Sequence, residues 1–394
     1  MEMIFHVIGI GNKTASLSHE KQELVCKNRY FSGGKRHYNL VKHLLPENNV
    51  FIIINSPLED VYQHYEEVGQ EIVVFASGDP LFYGYSNTLR NRYPNAEIYT
   101  YPYFSSIQLL ASKAGLNSNQ LRTVSVHGRS WQALDSAIIR QEPLIGVLTD
   151  QEKSPAAIAE YLLQFGYSNY SAWLGEDLEG EFEKVDHFSL AELCKKEAYS
   201  LNCLILKKEK HRQVPFGLPD TDFMGLTGRP NMITKMPVRL CSLHFLNLQD
   251  KKVFWDIGFC TGSLSIEAKI HFPDLQVYAF EKREECGEII QKNQKTFGAP
   301  GINVILGDVC ELDFSIYPIP QAVFIGGHGG RLSEILKKLD AYLDRNACIV
   351  INAVQESSIE EFISTSAILG WQQDGTMQIK IDQHNEITIL KAVK

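Results

Sequence analysis

From Val253 onward, three short apolar runs recur at regular intervals, and each ends in an acidic or small polar residue. The first, Val253-Phe-Trp-Asp256-Ile257, leads into Gly258-Phe259-Cys260-Thr261-Gly262-Ser263. The second, Val277 to Phe280, ends in Glu281, and the third, Val304 to Leu306, ends in Gly307-Asp308-Val309. Brief apolar runs separated by helical patterns are how an α/β fold with a buried parallel sheet is written in sequence. Gly258 and Gly262 let the backbone turn sharply and approach a ligand without side-chain clash. Glu281, at the tip of the next strand, places a carboxylate where ribose hydroxyls lie in nucleotide-binding folds. Alone, the two glycines read equally well as an ordinary turn, and Asp308 as an adenine contact or a helix N-cap. Cys260 stands where a third glycine would normally sit.

The pattern continues with a strand at Ala322 to Ile325, a helix at Leu332 to Leu343, a strand at Ala347 to Ile351 and a helix at Ser358 to Leu369. Two final runs, Thr376 to Ile381 and Glu386 to Ala392, flank Asp382-Gln-His-Asn385 and read as a hairpin. Five parallel strands closed by an antiparallel hairpin form a doubly wound, Rossmann-like sheet. Periodicity does not separate its methyltransferase version from a dinucleotide-binding one, so the site must decide. No GxxxxGK[ST] loop is present, so a triphosphate ligand is unsupported. The strand-end residues read together as those of an S-adenosylmethionine-dependent methyltransferase of class I. Thr234, before the helix that opens this half, is either its cap or a hydroxyl over the cofactor. Four glycines surround His328 after the fourth strand, and Asn352 ends the fifth at the carboxyl edge, where it serves equally as a turn residue.

At 394 residues the chain is too long for one ordinary core and implies two or three domains. A net charge of -9 disfavours nucleic acid as a partner, since phosphate backbones are gathered by clustered Lys and Arg. The eight cysteines form no CxxC pair or Cys/His cluster, so we expect reduced thiols and no protein-bound metal. No apolar run nears the roughly 20 residues of a membrane span, and Met1 to Ile10 lacks a basic leader. A cytoplasmic protein with no membrane partner is expected.

Upstream, β-rich runs at Phe5 to Ile10, Val50 to Ile54, Ile72 to Ala76, Glu97 to Tyr101, Val124 to Val126, Leu144 to Leu148 and Leu201 to Leu206 alternate with helical patterns. Residues 207–232 are basic and rich in Gly and Pro, and read as a connection. The expected domains are therefore 1–206, with subdomains of about 1–103 and 104–206, and 233–394. Turn motifs close several of the upstream strands: Gly9-Ile-Gly11, Ser77-Gly78-Asp79-Pro80, Phe104-Ser105-Ser106 and His127-Gly128-Arg129. Each could be plain turn chemistry.

In sequence order, those four motifs, with Gly33-Gly34-Lys35-Arg36-His37 and Leu148-Thr149-Asp150, resemble the tetrapyrrole methylase family, in its branch acting on precorrins in cobalamin biosynthesis. The second half, with Ile-Thr-Lys235, Asp256-Ile-Gly258, Ile-Gly-Gly-His328-Gly-Gly and Asn352-Ala-Val, is similar to the decarboxylating methyltransferase that partners that branch. The likeness spans nearly the whole chain and implies a bifunctional enzyme with an N-terminal tetrapyrrole methylase fold of two α/β subdomains. It implies one S-adenosyl-L-methionine per half, methylation of carbons 5 and 15 of a precorrin-6-type ring, and decarboxylation of a ring acetate by the C-terminal half. A homo-oligomer acting on a small-molecule corrin precursor is also implied.

Carried over by position, the first cofactor site would comprise Gly9, Gly11, Gly78, Asp79, Pro80, Ser105, Ser106, Thr149 and Asp150. The second would comprise Thr234, Gly258 to Gly262, Glu281, Asp308 and Val309. Lys35, Arg129, Lys235 and Arg239 are candidate anchors for substrate carboxylates, each also readable as a solvated surface charge. His127, His328 and Asn352 are candidates to touch the ring. Transfer of a methyl from a sulfonium to an electron-rich carbon needs alignment at about 3 to 3.5 Å more than it needs a strong base, which agrees with the lack of a triad. Two alternatives stand beside this reading: one half may have decayed to a tetrapyrrole-binding module, leaving a single-site methyltransferase, or the C-terminal half methylates RNA or another small molecule.

Overall fold

The computed structural model describes residues 3–229, 232–383 and 385–394. Pro230 and His384, read above as parts of the connection and the hairpin turn, lie outside the described residues. The chain forms two compact units: 1–129, 143–160 and 170–209 make the first, and 130–142, 161–169 and 210–394 the second.

The first unit holds two five-stranded sheets. Its strands are β1 (Ile4–Ile10), β2 (Tyr30–Gly33), β3 (Val50–Ile53), β4 (Glu71–Ser77), β5 (Glu97–Tyr101), β6 (Leu121–Ser125), β7 (Leu144–Leu148), β8 (Tyr170–Glu176), β9 (Lys184–Ser189) and β10 (Asn202–Lys208). The first sheet runs β3-β2-β4-β1-β5, all parallel. Both its faces are buried: Phe5, Val7, Ile72 and Val74 meet the helices Leu58–Val68 and Tyr85–Arg92, while Ile8, Ile10, Val73 and Phe75 meet His19–Lys27 and Lys35–Val41. This is why the central strand β4 carries a continuous apolar run, Ile72 to Ala76. The second sheet, β6-β7-β10-β8-β9, is parallel only between β6 and β7. The sequence reading misses β2, β8 and β9. β8 interrupts its apolar run with Ser171, Ala172 and Gly175, and β9 is an edge strand with alternating polar residues.

In the second unit, β11 (Val253–Ile257), β12 (Gln276–Glu281), β13 (Ile302–Leu306), β14 (Ala322–Ile325), β15 (Cys348–Ala353), β16 (Gln372–Ile379) and β17 (Ile387–Val393) form one sheet in the order β13-β12-β11-β14-β15-β17-β16. The first five are parallel and the last two antiparallel, as the sequence pattern requires. Successive residues feed opposite faces: Phe254, Val277 and Phe324 pack under three helices, and Trp255, Phe280 and Val323 under two. The polar start of β16, with its bulge at Asp374, is why the sequence reading begins that strand four residues late.

Much of the segment read as a connection is strapped to this unit. Leu218, Phe223 and Leu226 are buried in its core, and Arg239 holds them there. The Arg239 side chain is fully buried, donating to Glu267 at 3.0 Å, Asp220 at 3.1 Å, the Thr234 carbonyl at 2.8 Å and the Leu218 carbonyl. Burial opposes ionisation of Glu267, yet donors from His271, the Leu218 amide and Arg239 outweigh it and hold its pKa below the usual value. The reading of Arg239 as a substrate anchor is thereby corrected, because its donors are spent inside the fold. Removing one partner of a buried ion pair leaves an uncompensated charge. We predict that Arg239→Leu costs about 3–5 kcal/mol in urea unfolding, whereas Lys235→Ala, a half-buried position at the helix start, costs under about 1 kcal/mol.

Candidate functional sites

In the first unit, the carboxyl ends of β1 and β4 and the start of the helix Ser106–Lys113 border a cavity of about 220 Å³. Gly11, Gly78, Asp79, Ser105 and Ser106 of the expected cofactor site line it, together with Asn12, Arg36, Ser77 and Asn202. Ser105 caps the helix through a reciprocal bond pair: its hydroxyl accepts from the Gln108 amide at 3.3 Å, and the Gln108 side chain accepts from the Ser105 amide at 2.9 Å. Gly9 and Pro80 are outside the lining. Gly9 is glycine because a methyl group there would lie 2.0 Å from the Gly78 carbonyl oxygen, so it permits two loops to meet. Pro80 precedes its helix by a full turn, which starts instead at Tyr85 with Gly84 as N-cap.

Thr149 and Asp150 also stand behind the wall. Thr149 Oγ1 donates to Asn202 Oδ1 at 2.7 Å and so orients a lining residue. Asp150 accepts the amides of Gly128 and Lys153 at 2.9 and 2.6 Å, which lowers its pKa, the Lys153 bond contributing most. His127 and Arg129 are exposed, as is Lys35. His127 Nδ1 faces the Thr149 carbonyl at 2.8 Å, and the Arg129 guanidinium lies 5.0 Å from the centre of the Tyr83 ring. Sequence reading missed Asn12 and Asn202 and passed over Arg36 in favour of its neighbour; no signal distinguished the inward cation in Lys35-Arg36 from the outward one.

In the second unit, a smaller cavity of about 110 Å³ opens at the carboxyl ends of β11, β12, β13 and β14. Gly258, Glu281, Asp308, Val309 and His328 line it. The Glu281 side chain is buried: one oxygen accepts the Cys260 amide at 3.1 Å, and the other accepts the Lys282 and Arg283 amides at 3.0 and 3.2 Å. Glu281 thus fixes the loop as well as charging the cavity. Asp308 pairs with Arg331 at 2.8 Å and accepts the Cys310 amide at 2.9 Å. His328 Nδ1 accepts the Gly330 amide at 3.3 Å, and its Nε2 lies 3.3 Å from the Ser358 hydroxyl.

Phe259, Cys260, Thr261 and Gly262 sit outside that lining. Phe259 and Thr261 are buried, and Gly262 yields to Ile290, whose Cγ1 would lie 2.3 Å from an added methyl. Cys260 adopts a positive φ of 53°, and burial, chiefly, pushes its thiol up to about 12, so it is a neutral group and no nucleophile. Thr234 and Lys235 are half-buried; Lys235 is the helix N-cap position, so Thr234 does not cap it. Asn352 accepts a hydrogen bond from Ser242 at 3.0 Å while its amide nitrogen is buried with no partner. Among the described residues no group of three or more His, Cys, Asp or Glu side chains is placed to hold a metal ion, and no helix is long and apolar enough to cross a membrane.

Residues 23–194 match the tetrapyrrole (corrin/porphyrin) methylases, and residues 228–391 match the precorrin methyltransferase domain. Over 370 residues, 92% of this chain and 88% of the relative, the sequence is 32% identical to a precorrin-6Y C(5,15)-methyltransferase [decarboxylating] of a Sinorhizobium species. The chain belongs to the decarboxylating precorrin-6Y C5,15-methyltransferase family. A probable cobalt-precorrin-6B C(15)-methyltransferase (decarboxylating) of Sulfurisphaera tokodaii is 32% identical over 159 residues, 40% of this chain and 81% of that one. The crystal structure of a precorrin-6y C5,15-methyltransferase from Geobacter metallireducens is 30% identical, with a TM-score of 0.42, covering 46% of this chain and 98% of that one.

Behind the C-terminal loop of this methyltransferase lies an ionisable group that the sequence reading left without a role. Asp256 is fully buried at the end of β11; one oxygen accepts the Ser265 hydroxyl at 2.5 Å and the other has no partner. Burial pushes its pKa up to about 7, with the Glu281 charge adding to the shift. A carboxyl whose folded pKa is raised binds its proton in the folded state after the unfolded chain has lost its own. Its stabilising contribution is therefore complete below the unfolded value near 4 and is lost as pH rises toward 7. We predict that, in thermal melts from pH 5 to 8, the parent loses stability relative to Asp256→Asn by on the order of 2 kcal/mol; a gap constant with pH would contradict this.

Proposed function

We propose that the protein transfers two methyl groups to one precorrin-6-type macrocycle, at carbon 5 in the N-terminal unit and at carbon 15 in the C-terminal unit, with loss of carbon dioxide from a ring acetate in the second reaction. The observation that carries this reading is that one chain, 32% identical to such an enzyme over 92% of its length, has a cavity at the carboxyl edge of parallel strands in each unit. Open α/β sheets hold their ligands at that edge.

The residues present fit an S-adenosyl donor. In the C-terminal cavity, the buried Glu281 carboxylate suits a ribose diol, Asp308 and Val309 suit an adenine edge, and the Gly258 turn keeps side chains away from the loop. In the N-terminal cavity, Gly11, Gly78, Asp79, Ser105 and Ser106 would hold the second donor molecule. When bound, the donor supplies an electrophilic methyl on a positively charged sulfonium. The chain's own part is positional: Glu281 locks the loop through the Cys260 amide, the cap at Ser105 fixes the helix start, and the buried walls exclude water while charge disperses. No residue need act as a strong base, in keeping with the neutral Cys260 thiol. The likeness to the family further supports a small-molecule corrin precursor as substrate, a homo-oligomer and a cytoplasmic site of action.

Two separate cavities predict separable steps. Glu281→Gln should lower the decarboxylating methylation by about 10²-fold or more, the effect expected when a charged contact in a dry site is lost. The other methylation should stay within about twofold of the parent. Product masses after incubation with the macrocycle and donor read both steps, and parallel loss of the two would contradict separate sites.

A further inference from the structure

At the carboxyl edge of the first sheet, two donors converge on a single hydroxyl. Arg36 Nη2 donates to Ser77 Oγ at 2.6 Å, and His37 Nε2 lies 2.8 Å from the same oxygen. The Gly34 amide donates to His37 Nδ1 at 3.1 Å, which leaves that nitrogen without a proton. Burial, then the Arg36 charge, pushes the His37 pKa down to about 4, so at neutral pH the ring is uncharged and carries its proton on Nε2. Ser77 Oγ therefore accepts two hydrogen bonds, and its own proton is free to be donated along a third direction. Ser77 and Arg36 both line the cavity.

The cation beside it lacks a direct counter-charge. Arg36 Nη1 donates to Asn12 Oδ1, and Asn12 Nδ2 donates to Asp177 Oδ1 at 2.5 Å, so a neutral amide stands between the guanidinium and that carboxylate. Asp177 is further occupied by the Phe182 amide at 2.9 Å. Asp79, an acidic group on the cavity lining, has Oδ1 turned to the Leu81 amide at 2.9 Å. A half-buried guanidinium held in place by neutral partners, next to an oriented hydroxyl donor, is an arrangement that gains by receiving an anion, and a carboxylate can take both contacts at once. Lys35 and Arg129, the sequence candidates for this role, are exposed and outside the lining.

We propose that Arg36 and Ser77 form the carboxylate anchor of the N-terminal cavity, the specificity-determining contact with an acidic side chain of the macrocycle, with His37 and Asn12 as positioning residues. The proposal rests on the function proposed above. It is tested by steady-state kinetics of the non-decarboxylating methylation, with macrocycle and donor varied separately. Arg36→Gln should raise KM for the macrocycle about tenfold or more while kcat and the donor dissociation constant stay within about threefold. Ser77→Ala, a change less able to disturb the fold, should raise the same KM several-fold, and Arg36→Lys should recover part of the loss because it keeps the charge without the fork. An unchanged macrocycle KM in Arg36→Gln would overturn the anchor, as would a fall in donor affinity and kcat alongside it. If the parent chain itself shows no methylation at that position, the proposed function fails instead.

Discussion

Each unit depends on one backbone contact that only glycine permits. In the first, a methyl group on Gly9 would lie 2.0 Å from the Gly78 carbonyl oxygen and 2.8 Å from the Tyr103 amide nitrogen. In the second, a methyl on Gly258 would lie 2.5 Å from the Gly327 carbonyl oxygen and 2.7 Å from its amide nitrogen. Real side chains do not sit so close, so the loops that leave neighbouring parallel strands meet main chain to main chain. The contacts are reinforced by ladder-like bonds at the same edge: Gly78 N–H to the Ile10 carbonyl, and Gly326 N–H to the Ile257 carbonyl, each at 2.9 Å. Polar groups carried on those loops, Ser77 and Asp79 in one unit and His328 in the other, are thereby set at a fixed height on a cavity lining.

This gives a different weight to glycines in such motifs. Gly9 and Gly262 serve packing, the one against the Gly78 loop and the other against Ile290, while Gly11, Gly78 and Gly258 border cavities. The sequence shows where the turns fall, because period and turn residues are local. It cannot show which glycine borders a cavity, because that is decided by residues far along the chain, the Gly78 loop for Gly9 and Ile290 for Gly262. The fold of the second unit was legible almost throughout, since the inner parallel strands are buried and read as short, mostly apolar runs. Strands that escaped notice were β2, a short Tyr-Phe-Ser-Gly run, β8, diluted by small residues, and the edge strand β9, while β16 was read with a late start.

Charge was the least legible quantity. Lys35 and Arg36 are adjacent, and Lys235 and Arg239 lie one helical turn apart, yet one position of each pair turns inward. Arg239 closes a buried network around Glu267 that straps residues 217–226 to the core, so its cost in desolvation is met by four acceptor contacts rather than by a ligand. Arg36, beside the cavity, is hydrogen-bonded by neutral groups alone, with the Asp177 carboxylate acting on it only through space beyond Asn12. Both are half of a sequence pattern that looks like solvated surface. Hydrogen-bond partners, fixed by tertiary contacts far along the chain, separate the structural arginine from the one that lines the cavity.

The central claim is that each unit builds its own donor site on its own glycine contact. Calorimetric titration of S-adenosylmethionine into the parent chain, Gly9→Ala and Gly258→Ala tests it most directly. The account predicts two binding equivalents per chain for the parent and one for each variant, with the remaining site at parental affinity. A single equivalent in the parent, or loss of both in either variant while the chain remains folded, would contradict it.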